Sequence, residues 1–364
     1  MMKYAQALLE RIGKDDAPAW KACVGFDGYI DSIAHLMRQV GGNEGIPFDT
    51  MRSAGTYFVE KAGKSCCVEM AKYSTRMGGN APLFSAALSG LNPDIDLIGC
   101  LGREEIHPVF RSLAEKVRVT TVGEPGKCIA LEFSDGKIML SENTDTRDLD
   151  YSALSCEPGI LRILSECDLM VLLNWSEMLH MQDIWEGILQ NVISDEKKQK
   201  VFFDLSDCSG RSREDILRML KTLRAYAVRR ETLLSLNENE AGVLCGVIGE
   251  ESRDISGMAR ALQKDLGISV VSVHSVYASC AARSCGCTEE ENLHIAHPSV
   301  STGGGDHFNA GLAYAWMQDY PDGEMLTLAN CFGSCFVRDG VTPSLERVKR
   351  CLEELVNGTN GSSH

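Results

Sequence analysis

Six short apolar segments recur along this chain, and they constrain its fold more than any other feature. They are residues 22–26, 95–101, 169–173, 201–204, 232–236 and 268–273. Their length and their β-branched content are typical of buried strands. Segments with helical spacing of apolar residues lie between them, for example at 83–88 and 345–355. This alternation predicts a mostly parallel sheet covered by helices on both faces.

Residues 126–142 have a different pattern. Two strand-like pieces flank a turn that contains Asp135 and Gly136, which is a strong signal for a β-hairpin. We find no internal repeat and no low-complexity linker that would divide the chain. One large α/β domain with a small appended sheet is therefore expected, and the hairpin is a candidate lid.

Charge and cysteine content exclude several classes of protein. The chain has 364 residues, with 36 Lys and Arg against 51 Asp and Glu, which gives a net charge of −15. This negative charge argues against nucleic acid as a partner, and no apolar run reaches the roughly 18 residues that span a bilayer. The N-terminus lacks the pattern of a signal peptide. The 15 scattered cysteines fit reduced thiols in a cytoplasmic protein. The polar tail 357–364 is expected to be disordered.

Three consecutive glycines, Gly303, Gly304 and Gly305, open an apolar helix near the C-terminus. Their N–H groups and the positive end of the helix dipole form a site for an anion such as phosphate. Asp306 follows directly and would accept a proton from an attacking hydroxyl beside that phosphate. The alternative is a tight turn in which Asp306 only begins a helix.

Two loops nearer the N-terminus could bind hydroxyl groups. In the first, Gly78, Gly79 and Asn80 precede a small-residue helix, and glycines let backbone amides approach a ligand. In the second, Asp27 and Asp31 follow the first apolar segment, and carboxylates accept paired hydrogen bonds from vicinal hydroxyls. A plain connecting loop and a capped turn remain the alternatives.

Asn237 and Glu240 follow the apolar segment 232–236. If a helix begins here, the amide and the carboxylate share a face, with Asn237 toward phosphate and Glu240 toward hydrated Mg²⁺. An ordinary helix N-terminus would have the same sequence.

Taken together, these motifs resemble the ribokinase-like carbohydrate kinases, also called the PfkB family. The resemblance rests on the glycines and Asp306 with Asn309, the Gly78-Gly79 loop, Asp31, and Asn237 with Glu240, and it spans nearly the whole chain. It implies a three-layer α/β domain over residues 1–356, with a β lid from segments near 28–58 and 104–145. It also implies transfer of the ATP γ-phosphoryl group to a hydroxyl of a sugar, small polyol or nucleoside, and a homodimer through paired lids.

The resemblance also implies a role for each matching residue. Asp306 would be the base and residues 303–305 the anion hole. The acceptor would contact Asp27, Asp31, Gly78, Gly79 and Asn80. The nucleotide would lie beside Asn237, Ser272, His274 and Asn309, with Mg²⁺ at Glu240.

One segment departs from the family pattern. Residues 272–277 stand where relatives of ribokinase carry Thr-x-Gly-x-x-Gly, so His274 and Tyr277 bring bulk to glycine positions. A second hypothesis is therefore a non-catalytic sensor of sugar or nucleotide on the same fold.

Overall fold

The computed structural model describes residues 3–12, 19–40, 43–143, 145–293, 295–296, 298–300 and 303–360. Its strands are β1 (Lys21–Phe26), β2 (Tyr29–Val40), β3 (Asn43–Pro47), β4 (Glu69–Gly78), β5 (Asp94–Gly99), β6 (Arg118–Thr121), β7 (Gly126–Phe133), β8 (Gly136–Glu142), β9 (Leu169–Leu172), β10 (Lys200–Asp204), β11 (Glu231–Asn237), β12 (Val270–His274), β13 (Ala278–Arg283) and β14 (Gly286–Glu291).

The helices connect these strands. They are α1 (Ala5–Ile12), α2 (Met51–Glu60), α3 (Asn80–Ser89), α4 (Arg111–Ala114), α5 (Asp145–Asp148), α6 (Tyr151–Ser155), α7 (Pro158–Glu166), α8 (Met181–Asn191), α9 (Arg213–Arg229), α10 (Glu238–Ile248), α11 (Ile255–Leu266), α12 (Gly304–Met317), α13 (Asp322–Asp339) and α14 (Leu345–Asn360).

The main sheet has nine strands in the order β14-β13-β12-β11-β10-β9-β1-β5-β6. All neighbours from β12 to β6 are parallel, and β13 and β14 add an antiparallel edge. All six apolar segments of the sequence contribute to its parallel strands. The predicted α/β architecture is confirmed.

Each face of the main sheet packs on its own apolar layer. Consecutive residues of β10 show the division, because side chains alternate across a strand. Phe202 contacts Phe84 of α3, with ring centroids 5.7 Å apart, whereas Phe203 contacts Trp185 of α8 at 4.8 Å. Both layers are buried, so the strand ends are held rigidly where chemistry is expected.

A second sheet of five strands forms the lid. Its order is β3-β2-β7-β8, and β4 pairs with β2 along the other edge. The lid helix α2 covers a small apolar cluster on this sheet that includes Phe48 and Leu131. The hairpin predicted at 126–142 is present as β7 and β8.

The lid boundaries differ from the predicted ones. Strand β4 lies outside both predicted segments, and its exposed, largely polar residues give it no apolar signal. Residues 108–121 belong instead to a short helical region and to β6, which pairs with β5 at the edge of the main sheet.

The C-terminal helix α14 continues to Asn360, so residues 357–360 are helical instead of belonging to the predicted disordered tail. Extending an existing helix costs little, because each added residue gains a backbone hydrogen bond. Residues 361–364 of that tail lie outside the described residues. Among the helices of the described chain, none combines the length and the apolar character that crossing a membrane requires.

Candidate active site

Polar residues gather at the carboxyl ends of the central strands. Asp204, Asn237 and His274 end β10, β11 and β12, and Asp27 follows β1. Ligands of open α/β sheets bind at this edge. The N-terminus of α12 and the base of the lid also reach it, so the groups predicted from distant parts of the sequence come together here.

Helix α12 begins at the glycine triplet. Gly303 is its N-cap with φ of 89°, a left-handed conformation that favours glycine. A Cβ on Gly304 would lie only 2.9 Å from Cγ2 of Val337, so α12 and α13 pack closely at this point. The first N–H groups of a helix have no intrahelical acceptor, and they give this end of α12 its capacity for an anion.

Asp306 lies in the first turn of α12 and is partly accessible. Its Oδ1 accepts a hydrogen bond from Nδ2 of Asn80 at 3.3 Å. Burial raises the pKa of Asp306 well above its usual range, and the carboxylates of Asp204 and Asp27 raise it further. A carboxylate with an elevated pKa holds a proton more firmly, as a general base requires.

Asp27, which was predicted to contact the acceptor, is fully buried and leaves no surface exposed to the cleft. Its carboxylate accepts the backbone N–H groups of Asn80 at 2.9 Å and Ala81 at 2.7 Å, and Nδ2 of Asn174 at 2.6 Å. Asp27 therefore caps α3 and fixes Asn80 in place.

Asp31 lies on lid strand β2 and is only half-buried. Its carboxylate occupies the space that a side chain on Gly78 would need, so that glycine allows the close approach of β4. Burial raises the pKa of Asp31, and the charges of Arg76 and Lys137 oppose this shift. Asp31, Gly79 and Asn80 thus remain candidates for contact with the acceptor.

Glu177 is a further acid of this cleft that the sequence analysis missed. It retains solvent access, and its pKa is raised by desolvation and then by the charges of Asp27 and Asp31. Its backbone N–H donates to Oδ1 of Asn174 at 3.4 Å. Both residues closely follow β9 and so lie at the edge of the sheet where ligands are expected to bind.

A cavity of about 540 Å³ adjoins the first turn of α12 on the side of β11 and β12. Gly304 and Gly305 of the predicted anion hole line it, together with Asn237 and His274, two of the residues that were predicted to bind the nucleotide. The His274 ring contacts Phe308 at 4.5 Å between centroids, and burial lowers the pKa of His274 to about 4, so the ring is neutral near pH 7. Tyr277 is 80% exposed.

Two residues predicted to bind the nucleotide are buried in the protein instead. Ser272 lies in the middle of β12, between Ser235 and Ala281, with no solvent exposure. Asn309 donates Nδ2 to Asp204 at 2.8 Å and accepts from Oγ of Ser235 at 2.6 Å. Strand pairing and helix packing, which the motif alone does not reveal, account for both positions.

Asn237 and Glu240 form a reciprocal cap at the start of α10. Nδ2 and the backbone N–H of Asn237 donate to the two carboxylate oxygens of Glu240, at 2.7 and 3.0 Å. Burial and the charge of Asp204 raise the pKa of Glu240 to about 8, and burial raises that of Asp204 to about 6. The described residues contain no cluster of three or more His, Cys, Asp or Glu side chains arranged to hold a metal ion.

The two-sheet architecture, the anion-binding helix end and the adjoining carboxylate define a ribokinase-like sugar kinase. The chain matches the family model of prokaryotic ketohexokinase over residues 12–355 and belongs to that family. It is therefore an ATP-dependent phosphotransferase that acts on a hydroxyl group of a sugar.

Known proteins agree with this assignment. The chain is 28% identical to the ketohexokinase of Haloferax volcanii over 335 residues, covering 89% of this chain and 88% of that protein. The ribokinase structure from Thermotoga maritima superposes with a TM-score of 0.65 at 16% identity, covering 92% of this chain and 99% of that one. The structure of the nucleoside kinase of Burkholderia thailandensis in complex with inosine superposes with a TM-score of 0.61 at 14% identity, covering 93% of this chain and 98% of that one. The two structural similarities concern the fold.

Proposed function

We propose that this kinase phosphorylates a ketohexose, with Asp306 as the general base. The observation that carries the proposal is the position of Asp306, next to the glycines that line the nucleotide-side cavity and in hydrogen-bond contact with Asn80 of the acceptor-side loop. Family membership and the name of the Haloferax relative support a ketohexose as the acceptor.

In the proposed reaction, Asp306 removes the proton from the acceptor hydroxyl. The oxygen forms a bond to the γ-phosphorus of ATP, the bond from that phosphorus to the bridging oxygen breaks, and ADP leaves. The N–H groups at the start of α12 stabilise the negative charge on the transferring group. The raised pKa of Asp306 favours uptake of the proton.

On the acceptor side, the proposed contacts are Asp31, Gly79, Asn80 and Glu177. Asp31 and Glu177 reach the cleft from the lid and from the main sheet, and the charge of Asp31 contributes to the raised pKa of Glu177. Two facing carboxylates match the several hydroxyl groups of a sugar, since each hydroxyl can donate to one of them.

The cavity beside α12 fits ATP. Asn330 is one of the residues that line it. Its Oδ1 is buried and has no hydrogen-bond partner, while its Nδ2 donates to the carbonyl of Glu291 at 3.2 Å. A buried acceptor without a partner is costly, and the amino group of adenine would satisfy it. Asn237 lines the same cavity at the end of β11 and is the proposed phosphate contact.

Mg²⁺ fits the pair Asp204 and Glu240. Both carboxylates are buried, and the charge of Asp204 contributes to the raised pKa of Glu240. A cation would offset that repulsion, and nucleotide-bound Mg²⁺ commonly uses one or two carboxylates with the phosphates. When bound, Mg²⁺ would neutralise charge on the phosphates; Asp204 and Glu240 would hold it.

Steady-state assays with ketohexoses, aldohexoses and nucleosides test the proposal. The variant Asp306→Asn should keep its thermal unfolding midpoint and its calorimetric affinity for ATP while kcat falls about 100-fold to 10,000-fold. Unchanged turnover would reject Asp306 as the base. A wild-type protein that binds sugar and ATP without forming ADP would instead support the sensor hypothesis.

We propose in addition that two copies pair through the lid. In the described chain β4 pairs with β2 alone, and its outer edge is ten residues long and carries the exposed side chain of Met70. Unpaired edges of this length are templates for another strand. Sedimentation should therefore show a dimer, and Ser74→Pro should produce monomers; a wild-type monomer would reject the proposal.

A cytoplasmic location is also proposed. None of the fifteen cysteines, all of which lie in the described residues, forms a disulfide bond. Free thiols persist in reducing compartments, so this content fits the cytoplasm better than an oxidising space. Fractionation of the source cells tests the location.

A further inference from the structure

Ser206 lies two residues beyond the end of β10, in a conformation that few side chains adopt. Its φ is 57°, in the left-handed region. Its backbone N–H donates to Oδ1 of Asp204 at 3.0 Å, and its carbonyl accepts from Oγ of Ser176 at 3.2 Å. Strain of this kind persists only where surrounding contacts impose it, and it is concentrated at functional sites.

These contacts fix the direction of the Ser206 hydroxyl. Oγ of Ser206 donates to Oδ1 of Asn80 at 3.1 Å, although the two residues are 126 positions apart. A carboxamide has one accepting end and one donating end. With its oxygen held by Ser206, the NH₂ end of Asn80 faces Asp306, where the distance from Nδ2 to Oδ1 is 3.3 Å.

The remaining freedom of Asn80 is small. Its backbone N–H donates to Oδ2 of Asp27 at 2.9 Å, so the main chain is fixed. The hydrogen bond from Ser206 then fixes the rotation of the carboxamide about its own axis. Without that hydroxyl, the amide could turn its oxygen toward Asp306, and two acceptors would then face each other.

We propose that Ser206 is a positioning residue for phosphoryl transfer, which holds the Asn80 carboxamide so that its NH₂ group aims the catalytic carboxylate of Asp306. This inference rests on the proposed role of Asp306 as the base. It adds a third element, the loop after β10, to the machinery supplied by α3 and α12.

The arrangement has an electrostatic consequence. Asp204 from β10 and Asp27 from β1 face Asp306 and raise its pKa, whereas the hydrogen bond from Asn80 lowers it. The neutral NH₂ group of Asn80 thus lowers the pKa of Asp306, whereas the two acids raise it. Losing its orientation raises the pKa of Asp306 further, so the base becomes deprotonated at a higher pH.

The variant Ser206→Gly tests this role, because glycine accepts the positive φ without strain while the hydroxyl is lost. We expect kcat to fall about tenfold, as for the loss of one hydrogen bond in the transition state. The acidic limb of the kcat profile should move to higher pH, and the KM for ATP should stay within about twofold. Ser209→Gly, an exposed position in the same loop, is the matched control and should match the wild type.

A double-mutant cycle separates positioning from a general structural role. In an Asn80→Ala background, Ser206→Gly should cause no further loss, since the residue through which it acts is gone. Independent losses, or a Ser206→Gly enzyme with the wild-type pH profile, would overturn the inference. If either result is found while Asp306→Asn is inactive, only the role of Ser206 is rejected and the proposed function stands. An active Asp306→Asn enzyme would instead reject Asp306 as the base, on which the role of Ser206 rests.

Discussion

The carboxylate of Asp27 accepts the backbone N–H of Ala81 at 2.7 Å, and this contact joins the end of β1 to the first turn of α3. The same side chain also binds the backbone of Asn80 and the amide of Asn174. A fully buried acid therefore sets the position of the helix that presents Asn80 to Asp306.

Replacing Asp27 tests this structural role. Asp27→Ala should lower the free energy of unfolding by about 3 kcal/mol, because buried donors lose their acceptor. Asp31→Ala is the matched comparison and should change stability by less than about 1 kcal/mol while raising the KM for the sugar roughly tenfold. Urea unfolding with steady-state kinetics measures both effects. Equal stabilities would contradict the division of roles between the two acids.

The difference between Asp27 and Asp31 also shows where sequence analysis reaches its limit. The apolar segments locate the strands, and parallel strands place their following loops at one edge, so Asp306, Asp31 and Asn237 could be predicted at a common site. The depth of each side chain depends on packing between distant elements. For this reason the motif did not separate Asp27, which α3 covers, from Asp31, which the lid leaves half-buried.

Other parts of the site had no sufficient signal. Glu177 follows a correctly predicted strand, but one glutamate in a loop is indistinguishable from a surface residue until the lid is seen opposite. Ser206 is defined by its backbone conformation and by a contact across 126 positions, neither of which a local pattern encodes. Strand β4 was missed because its faces are mostly exposed.

Two adjacent glycines of α12 should respond differently to the same substitution. A Cβ on Gly304 meets Val337, so Gly304→Ala should cost stability by about 1–3 kcal/mol. A Cβ on Gly305 has Cε1 of His274 as its nearest atom, at 4.0 Å, so Gly305→Ala should fold normally. Its methyl group enters the proposed phosphate site and should lower kcat/KM for ATP roughly tenfold or more. Thermal melts and kinetics on both variants measure the contrast; normal kinetics for Gly305→Ala would place the phosphates elsewhere.

Selectivity for the nucleobase of the phosphoryl donor should depend on Asn330. Asn330→Ala removes the unpartnered acceptor, and the KM for ATP should rise about tenfold. The KM for GTP should change less, because guanine presents a carbonyl where adenine has its amino group. Ser334→Ala is the control in the same cavity, because its hydroxyl already donates to Asn292. Competition between ATP and GTP measures the preference. An equal rise in the KM for ATP and for GTP would show that Asn330 does not recognise the amino group of adenine.

The buried acids Asp204 and Glu240 predict an unusual dependence of stability on pH. The folded-state pKa of Glu240 is about 8, above its ordinary value of 4.5, so the folded protein binds more protons than the unfolded chain between these values. The free energy of unfolding contributed by this group therefore falls as the pH rises through that interval. Glu240→Gln removes the charge but also one of the two oxygens that accept from Asn237, at a cost that does not depend on pH. Its stability relative to the wild type should therefore improve from pH 5 to pH 8 in urea unfolding. Mg²⁺ with ATP should reduce that improvement, because ligand that binds only the folded wild-type protein stabilises it and offsets the repulsion. The free energies of unfolding of the two proteins could instead stay parallel across this pH range, with and without Mg²⁺ and ATP. Glu240 would then be ionised at no cost, and the electrostatic argument for a cation between the two acids would fail.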